Sequence, residues 1–418
     1  MNISCEFLNE NVRISLPSSK SISNRVLIIN TLSGNTALPV NVSDCDDTNV
    51  MIRWLTDMPH TIDIGAAGTA MRFSTALLSV TEGEHIITGS ERMKNRPIGV
   101  LVDALRALGA DITYMEKDGF PPLNIIGNSR LQGGTLTLRG DVSSQYISAL
   151  LMIAPYLLSG LTLQLTGNII SRPYIDMTIS LMRQFGAKVE WTAPDSVRVE
   201  HGSYLQQNYV VEADWSAASY WYEMLALCDR NTAVFLPNLF TDSLQGDSAV
   251  AEIFQNLGVT TDFMITADGN SCVRISKTGD CVDLFEYDFV CQPDLAQTLV
   301  VTCCFMGVPF LFTGLSTLKI KETDRLSALQ TELAKLGFDI QVVNDCELRW
   351  DGKRRTMTDD ELAAVSIDTY DDHRMAMAFA PCALKQPSIT INHPEVVTKS
   401  YPRFWSDLQT AGFQLSSK

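Results

Sequence analysis

Positive charge is scarce in this chain: 32 Lys and Arg face 48 Asp and Glu, for a net charge of −16. Binding a nucleic acid or an anionic membrane requires a basic face that releases counterions, so such surfaces are excluded as main partners. Small molecules are the expected partners, and if they are anions the few cations must be gathered in one place. Histidine is rarer still, with 5 residues and no His-x-His or His-x-x-His pair, and the 10 cysteines include no CxxC. No metal and no cofactor are expected from those patterns. Also missing are a long polar tract that would read as disorder and a basic, apolar leader at the N-terminus, where MNISCEFLNENVRISL carries acidic residues and alternation. The expected compartment is the cytoplasm, with reduced cysteines; Cys303 and Cys304, adjacent in an apolar stretch, read as small buried hydrophobes.

One uncharged stretch, between Asp141 and Arg172, is long enough to span a bilayer. Pro155 and Gly160 interrupt it and LTLQLTG alternates with period two, so it reads as a buried helix, a turn and a strand. With 418 residues the chain exceeds what one core normally serves, and two domains are expected.

A unit of helix, Leu-Gly or Phe-Gly and strand recurs from Arg96, Ser171, Gly246 and Lys321, again from Thr398 with Ala-Gly, and a shorter copy runs from Asp46 to Trp54. Gly109, Gly186, Gly258, Gly337 and Gly412 fall where a helix needs a left-handed residue before a strand. In the Lys321 copy, Leu326, Leu329, Leu333 and Leu336 form one apolar stripe. Such a period suggests a pseudo-symmetric assembly of one unit, although helix-Gly-strand is also common in α/β proteins at large. Polar residues at the helix starts stand where unpaired N–H groups and the positive dipole end can hold phosphate or carboxylate.

Six clusters carry potential chemistry. Pro17-Ser18-Ser19-Lys20-Ser21-Ile22-Ser23-Asn24-Arg25 combines two cations with several hydroxyls, as an anion site or as a plain Ser-rich helix cap. Gly65-Ala66-Ala67-Gly68-Thr69 fits either close backbone approach to an anion or a tight turn. Asp141-Val142-Ser143-Ser144-Gln145 offers more hydrogen-bonding groups than capping needs. Lys321-Glu322-Thr323-Asp324-Arg325 fits a solvated salt-bridged face or a site. Asp371-Asp372-His373-Arg374 and Thr398-Lys399 complete the set; His373 reads as a proton shuttle or a structural hydrogen bonder.

Taken in order, LPSSKSISNR, AGTAMRF, RMKNRPIG, VSSQY, SRPYID, EADWSAASY, LQGDS, QPDLAQT, KETDRL, DDHRMAM and TKSYP resemble the 5-enolpyruvylshikimate-3-phosphate synthase family from residue 16 to residue 402. The resemblance implies an α/β, two-domain inside-out barrel, each domain holding three copies of a βαβαββ-type folding unit. It implies one domain from residues 1–19 plus 215–418, another from 20–214, and an active site in the interdomain cleft. For shikimate 3-phosphate it implies Lys20, Ser21, Arg25, Ser143, Ser144, Gln145, Ser171, Tyr174, Asp294, Thr317 and Lys321. For phosphoenolpyruvate it implies Lys20, Gly68, Arg96, Gln145, Arg325, Arg374 and Lys399, with His373 in support.

The chemistry implied is transfer of an intact enolpyruvyl group through a tetrahedral ketal. Asp294 would take the proton from the 5-hydroxyl, Glu322 would move protons at C3 of phosphoenolpyruvate, and Lys20 would stabilise departing phosphate. Glyphosate, with a phosphonate and a carboxylate at similar separation, is expected to compete with phosphoenolpyruvate. Three positions depart from the family pattern: Ala66 stands for a common Asn, Thr317 for another Asn and Phe73 for a Pro. The related UDP-N-acetylglucosamine enolpyruvyl transferases share the architecture but use a reactive Cys, which RMKNRPIG lacks. A catalytically silent ligand-binding relative would not need Lys20, Asp294, Glu322, Arg374 and Lys399 together. A monomer is the family expectation.

Overall fold

Helical stripes that end at glycine, each followed by short alternating strands, decide the architecture. The computed structural model describes residues 1–229, 232–267 and 269–417. It divides into two compact units, Met1–Pro17 with Glu212–Lys418, and Ser18–Val211. Three four-stranded sheets belong to the first unit and two to the second.

All five sheets share one wiring. Thr61–Asp63 pairs in parallel with Gly83–Thr88, which pairs antiparallel with Leu123–Gly127, which pairs antiparallel with Asp111–Tyr114. The same order holds for Gly134–Arg139, Leu161–Thr166, Ser196–Val199 and Val189–Ala193, and for Phe285–Asp288, Phe310–Thr313, Glu347–Trp350 and Gln341–Val343. In the last repeat the chain's first strand, Asn2–Ser4, fills the third place, between Ile389–Ile391 and Gln414–Ser416. In the fifth sheet Val12–Arg13 lies parallel to Ala233–Pro237, with all of Ser18–Val211 inserted between them. Each parallel pair needs a crossover, which a helix supplies, and a second helix then leads into a hairpin, giving the βαβαββ unit. The sixth copy is reduced: helix Asp46–Asp57 remains, but its strands shrink to one parallel bridge between Val40 and Val210.

The five glycines expected after the repeat helices all have positive φ, from 72° at Gly258 to 110° at Gly412. A Cβ on Gly258 would stand 2.7 Å from the Asp280 carbonyl oxygen, so a side chain is barred by space as well as by φ. In helix Arg325–Lys335 and its cap, Leu326, Leu329, Leu333 and Leu336 are all buried, each contributing about 1.5–3 kcal/mol relative to exposure.

The uncharged stretch folds as helix Ser144–Ile153, the 3₁₀ turn Ala154–Tyr156 and strand Leu161–Thr166, and no described helix is long and apolar enough to cross a membrane. All ten cysteines are free thiols, and burial pushes those of Cys303 and Cys304 well up from their ordinary values.

Candidate active site

In the unit Ser18–Val211, four mutually packed helices begin at the clusters singled out above: Lys20–Leu32, Gly68–Val80, Ser144–Ile153 and Arg172–Gln184. Each start presents backbone N–H groups with no intrahelical partner and the positive end of a dipole. Side chains tie the starts together. Gln145 donates to the Thr69 hydroxyl at 3.1 Å, and Tyr146 donates to the Pro97 carbonyl at 2.6 Å. Ser143 caps its helix by accepting from the Gln145 N–H, and Ser144 opens the first turn. Ser171, buried at the start of its helix, has a left-handed backbone at φ 54°, a conformation that a non-glycine residue keeps only where its surroundings enforce it.

Lys20 is half-buried with its ammonium 3.7 Å from the carboxylate of Asp47, itself buried in the first turn of the next helix. Ser21 follows in the same turn. Arg25 stands one turn further along the same helix. Its guanidinium is buried and donates to the Thr178 hydroxyl at 2.7 Å, the Ser21 carbonyl at 2.8 Å, the Ser148 hydroxyl at 3.1 Å and the Tyr174 carbonyl at 3.4 Å. Burial without a facing carboxylate pulls it down to about 10. The rings of Phe73 and Tyr174 lie 5.3 and 5.9 Å from it, so Phe73, the departure from the family pattern, serves as an aromatic wall for Arg25.

Gly68 is where two more guanidiniums converge. A Cβ there would lie 2.5 Å from Nη1 of Arg96 and 2.9 Å from Nη1 of Arg72, which itself donates to the Gly68 carbonyl at 2.8 Å. The absent side chain is what lets both arginines close over the helix start.

The unit Met1–Pro17 with Glu212–Lys418 holds a second, more highly charged cluster, again at helix starts. Asp294 sits in the 3₁₀ turn before helix Ala296–Met306. Its carboxylate is 3.0 Å from Arg374, 3.1 Å from Arg325 and 3.4 Å from Lys321, and Arg374 also donates to its carbonyl at 3.1 Å. Burial opposes the charge on Asp294, but Arg374, Lys321 and Arg325 outweigh it and hold the carboxyl well below the usual range. Glu322 lies 2.9 Å from Arg325 and 3.1 Å from Lys399. Arg325 is fully buried, so burial works against its charge too, yet Asp372, Glu322 and Asp294 push its proton affinity above the ordinary value.

The structure therefore brings Asp294, Lys321, Glu322, Arg325, Arg374 and Lys399 into one network. Thr317 does not join it; its hydroxyl oxygen is buried with no partner among the described residues. His373 is buried at the start of helix His373–Phe379, 3.7 Å from Asp372.

Two residues beside this network carry no role in the sequence reading. Asp372 bonds Arg325 at 2.7 Å and caps the Arg374 N–H at 2.9 Å, joining the two arginines. Asp247 bonds the Ser216 hydroxyl, and burial, then the neighbouring Asp294, push its carboxyl up to about 7. Both lie in motifs already quoted, DDHRMAM and LQGDS, and Asp372 holds an N-cap position a sequence can reveal. Their partners cannot be read from spacing.

A family model described as EPSP synthase (3-phosphoshikimate 1-carboxyvinyltransferase) matches residues 54–408. The chain is 55% identical over 400 residues to the 3-phosphoshikimate 1-carboxyvinyltransferase of Bacteroides fragilis, covering 96% of this chain and 95% of the relative. It is 35% identical over 426 residues to the protein of the same name from Sulfurovum sp. (strain NBC37-1), covering 95% and 96%. Among solved structures, one titled EPSP synthase from Acinetobacter baumannii superposes with a TM-score of 0.78 at 22% identity, covering 100% of both chains, and supports the fold.

Proposed function

Because the chain belongs to the EPSP synthase family, we infer that it is a 3-phosphoshikimate 1-carboxyvinyltransferase of the shikimate pathway. It transfers the enolpyruvyl group of phosphoenolpyruvate to the 5-hydroxyl of shikimate 3-phosphate and releases phosphate. The observation that carries the residue roles is one arginine shared by two carboxylates: Arg325 lies 3.1 Å from Asp294 and 2.9 Å from Glu322, within a ring completed by Lys321, Arg374 and Lys399.

Such a ring suits the chemistry. Arg325, Arg374 and Lys399 bind the carboxylate and phosphate of phosphoenolpyruvate, with Lys20, Gly68, Arg96 and Gln145. Lys20, Ser21, Ser143, Ser144, Gln145, Ser171, Tyr174, Asp294 and Lys321 bind shikimate 3-phosphate. Arg25 belongs to this set and also orders it through the Ser21 and Tyr174 carbonyls, and Thr317 remains a candidate contact. Substrate anions compete for N–H groups now given to Asp294 and Glu322. As those groups turn to the ligands, the carboxylates lose cationic stabilisation and become stronger bases.

Glu322, once basic enough, takes up a proton before the reaction; Asp294 then takes the 5-hydroxyl proton while Glu322 delivers its own to C3, and the 5-oxygen attacks C2 to form the tetrahedral ketal. In the second half Glu322 removes a methyl proton, the C–O bond to phosphate breaks, and Lys20 stabilises the leaving phosphate. Glyphosate competes with phosphoenolpyruvate for the same cations. The free cysteines and the family support a cytoplasmic monomer as the acting form.

Incubation of the purified chain with both substrates tests this reading. Phosphate release matched by an enolpyruvyl ether in the mass spectrum supports it. Turnover with UDP-N-acetylglucosamine instead, or none with either acceptor, rejects it.

A further inference from the structure

The turn that delivers Asp372 and Arg374 passes through two successive left-handed residues, Tyr370 at φ 53° and Asp371 at φ 56°. Neither is glycine, and L side chains hold this conformation only where neighbouring contacts over-determine it. Those contacts converge on Glu332, a fully buried residue of helix Arg325–Lys335. One carboxylate oxygen accepts the Tyr370 hydroxyl at 2.6 Å; the other accepts the Asp368 N–H at 3.1 Å and Lys335 at 2.6 Å. Lys335 also reaches the Asp368 carboxylate at 3.1 Å, and Asn392 holds its other oxygen at 2.7 Å. Inside the turn the Asp372 N–H donates to the Thr369 carbonyl at 2.8 Å.

These contacts close a loop. Helix Arg325–Lys335 begins at Arg325, grips the turn through Glu332, and is gripped in return where Asp372 bonds Arg325 at 2.7 and 3.4 Å. The same Asp372 carboxylate fixes the Arg374 N–H at 2.9 Å. Tyr370 does little for the core, because it is 38% exposed. Its distinctive contribution is a hydroxyl that keeps its proton, held up by burial and by Glu332.

We propose that Tyr370 and Glu332 are positioning residues for the enolpyruvyl transfer: they fix the left-handed turn and, through Asp372, set how Arg325 and Arg374 meet phosphoenolpyruvate. The proposal rests on the reading that these two arginines bind that substrate.

The test compares Tyr370→Phe, Glu332→Gln and Arg374→Lys in the full chain, by steady-state phosphate release at varied concentrations of each substrate and by thermal melting. Tyr370→Phe loses one hydrogen bond to a carboxylate, so KM for phosphoenolpyruvate should rise about tenfold while KM for shikimate 3-phosphate stays near wild type. Combining it with Glu332→Gln should add less than the product of the two single effects, since they break one contact. If Arg374→Lys raises the phosphoenolpyruvate KM and Tyr370→Phe does not, the positioning role is wrong. A Tyr370→Phe protein that melts earlier with both KM values unchanged has lost only stability, and this also overturns the proposal. If neither variant moves the phosphoenolpyruvate KM, the assignment of that substrate to Arg374 falls first.

Discussion

The ammonium of Lys399 lies 3.1 Å from the carboxylate of Glu322, and Arg325 holds the other oxygen of that carboxylate at 2.9 Å. A glutamate held between two cations is fixed in direction, which suits a group that, once protonated, gives a proton to one carbon and later takes one back from it. Glu322→Gln keeps the size and an acceptor oxygen but cannot shuttle a proton. Its kcat should fall about 10²–10⁴-fold with smaller changes in either KM. A loss confined to substrate affinity would remove Glu322 from the proton transfers.

Lys20→Met should abolish measurable turnover while the protein still melts cooperatively near the wild-type temperature. The pairing with Asp47, at 3.7 Å and partly exposed on the Lys20 side, contributes about 0–1 kcal/mol, so the fold loses little. The reaction loses a cation assigned to both substrates. Near-normal phosphate release from the folded variant would contradict the assignment.

Gly68→Ala places a methyl 2.5 Å from Nη1 of Arg96 and 2.9 Å from Nη1 of Arg72. Both are flexible side-chain ends, so they swing aside and the fold survives; the guanidiniums, however, leave their places over the helix start. KM for phosphoenolpyruvate should rise, and glyphosate, whose chain is slightly longer, should weaken more. Inhibition measured at several phosphoenolpyruvate concentrations checks both, and equal sensitivity in the two proteins would show that this wall does not face the phosphonate.

Asp247 predicts a pH dependence of stability. Its carboxyl ordinarily titrates near 3.8 and is pushed up to about 7 by burial and then by Asp294, so between those values the folded protein keeps a proton that the unfolded chain has lost. This contribution is full below about pH 4 and is lost as pH rises through about 7. Asp247→Asn cannot ionise, and its melting temperature should fall less over that range. Glu212, raised to about 6 by burial, and Glu223, raised well above its ordinary value by burial, act in the same direction and leave a residual slope. Parallel melting curves for wild type and Asp247→Asn would exclude Asp247 as a source.

Among the ten free thiols, Cys281 is exposed and Cys291 and Cys346 are half-buried. Their single Ser variants should keep near-wild-type rates, because no thiol takes part in the chemistry. Loss of turnover in one of them, with its fold intact, would point to the sugar-nucleotide reaction instead.

The sequence by itself determined the repeat. Gly258 and Gly412 mark helix ends because only a left-handed residue without a side chain suits that place, and the leucines at 326, 329, 333 and 336 mark the buried face of a helix by their spacing. Both signals are local, so a short window of chain contains them. The family motifs, read in order, also named the chemical groups Lys20, Asp294, Glu322, Arg325, Arg374 and Lys399. Only the tertiary structure decided who meets whom. Asp294 meets Arg374, Arg325 meets Asp372, and Asn2–Ser4 fills the sheet of a repeat at the far end of the chain. Arg25 shows the difference most clearly: its motif marks it as a cation for an anion, and only the fold supplies Thr178, Ser148 and the Phe73 ring as its neighbours. Such pairings are set by how separate helices pack, and the interaction of two charges depends on their final distance and burial, neither of which their positions along the chain encode.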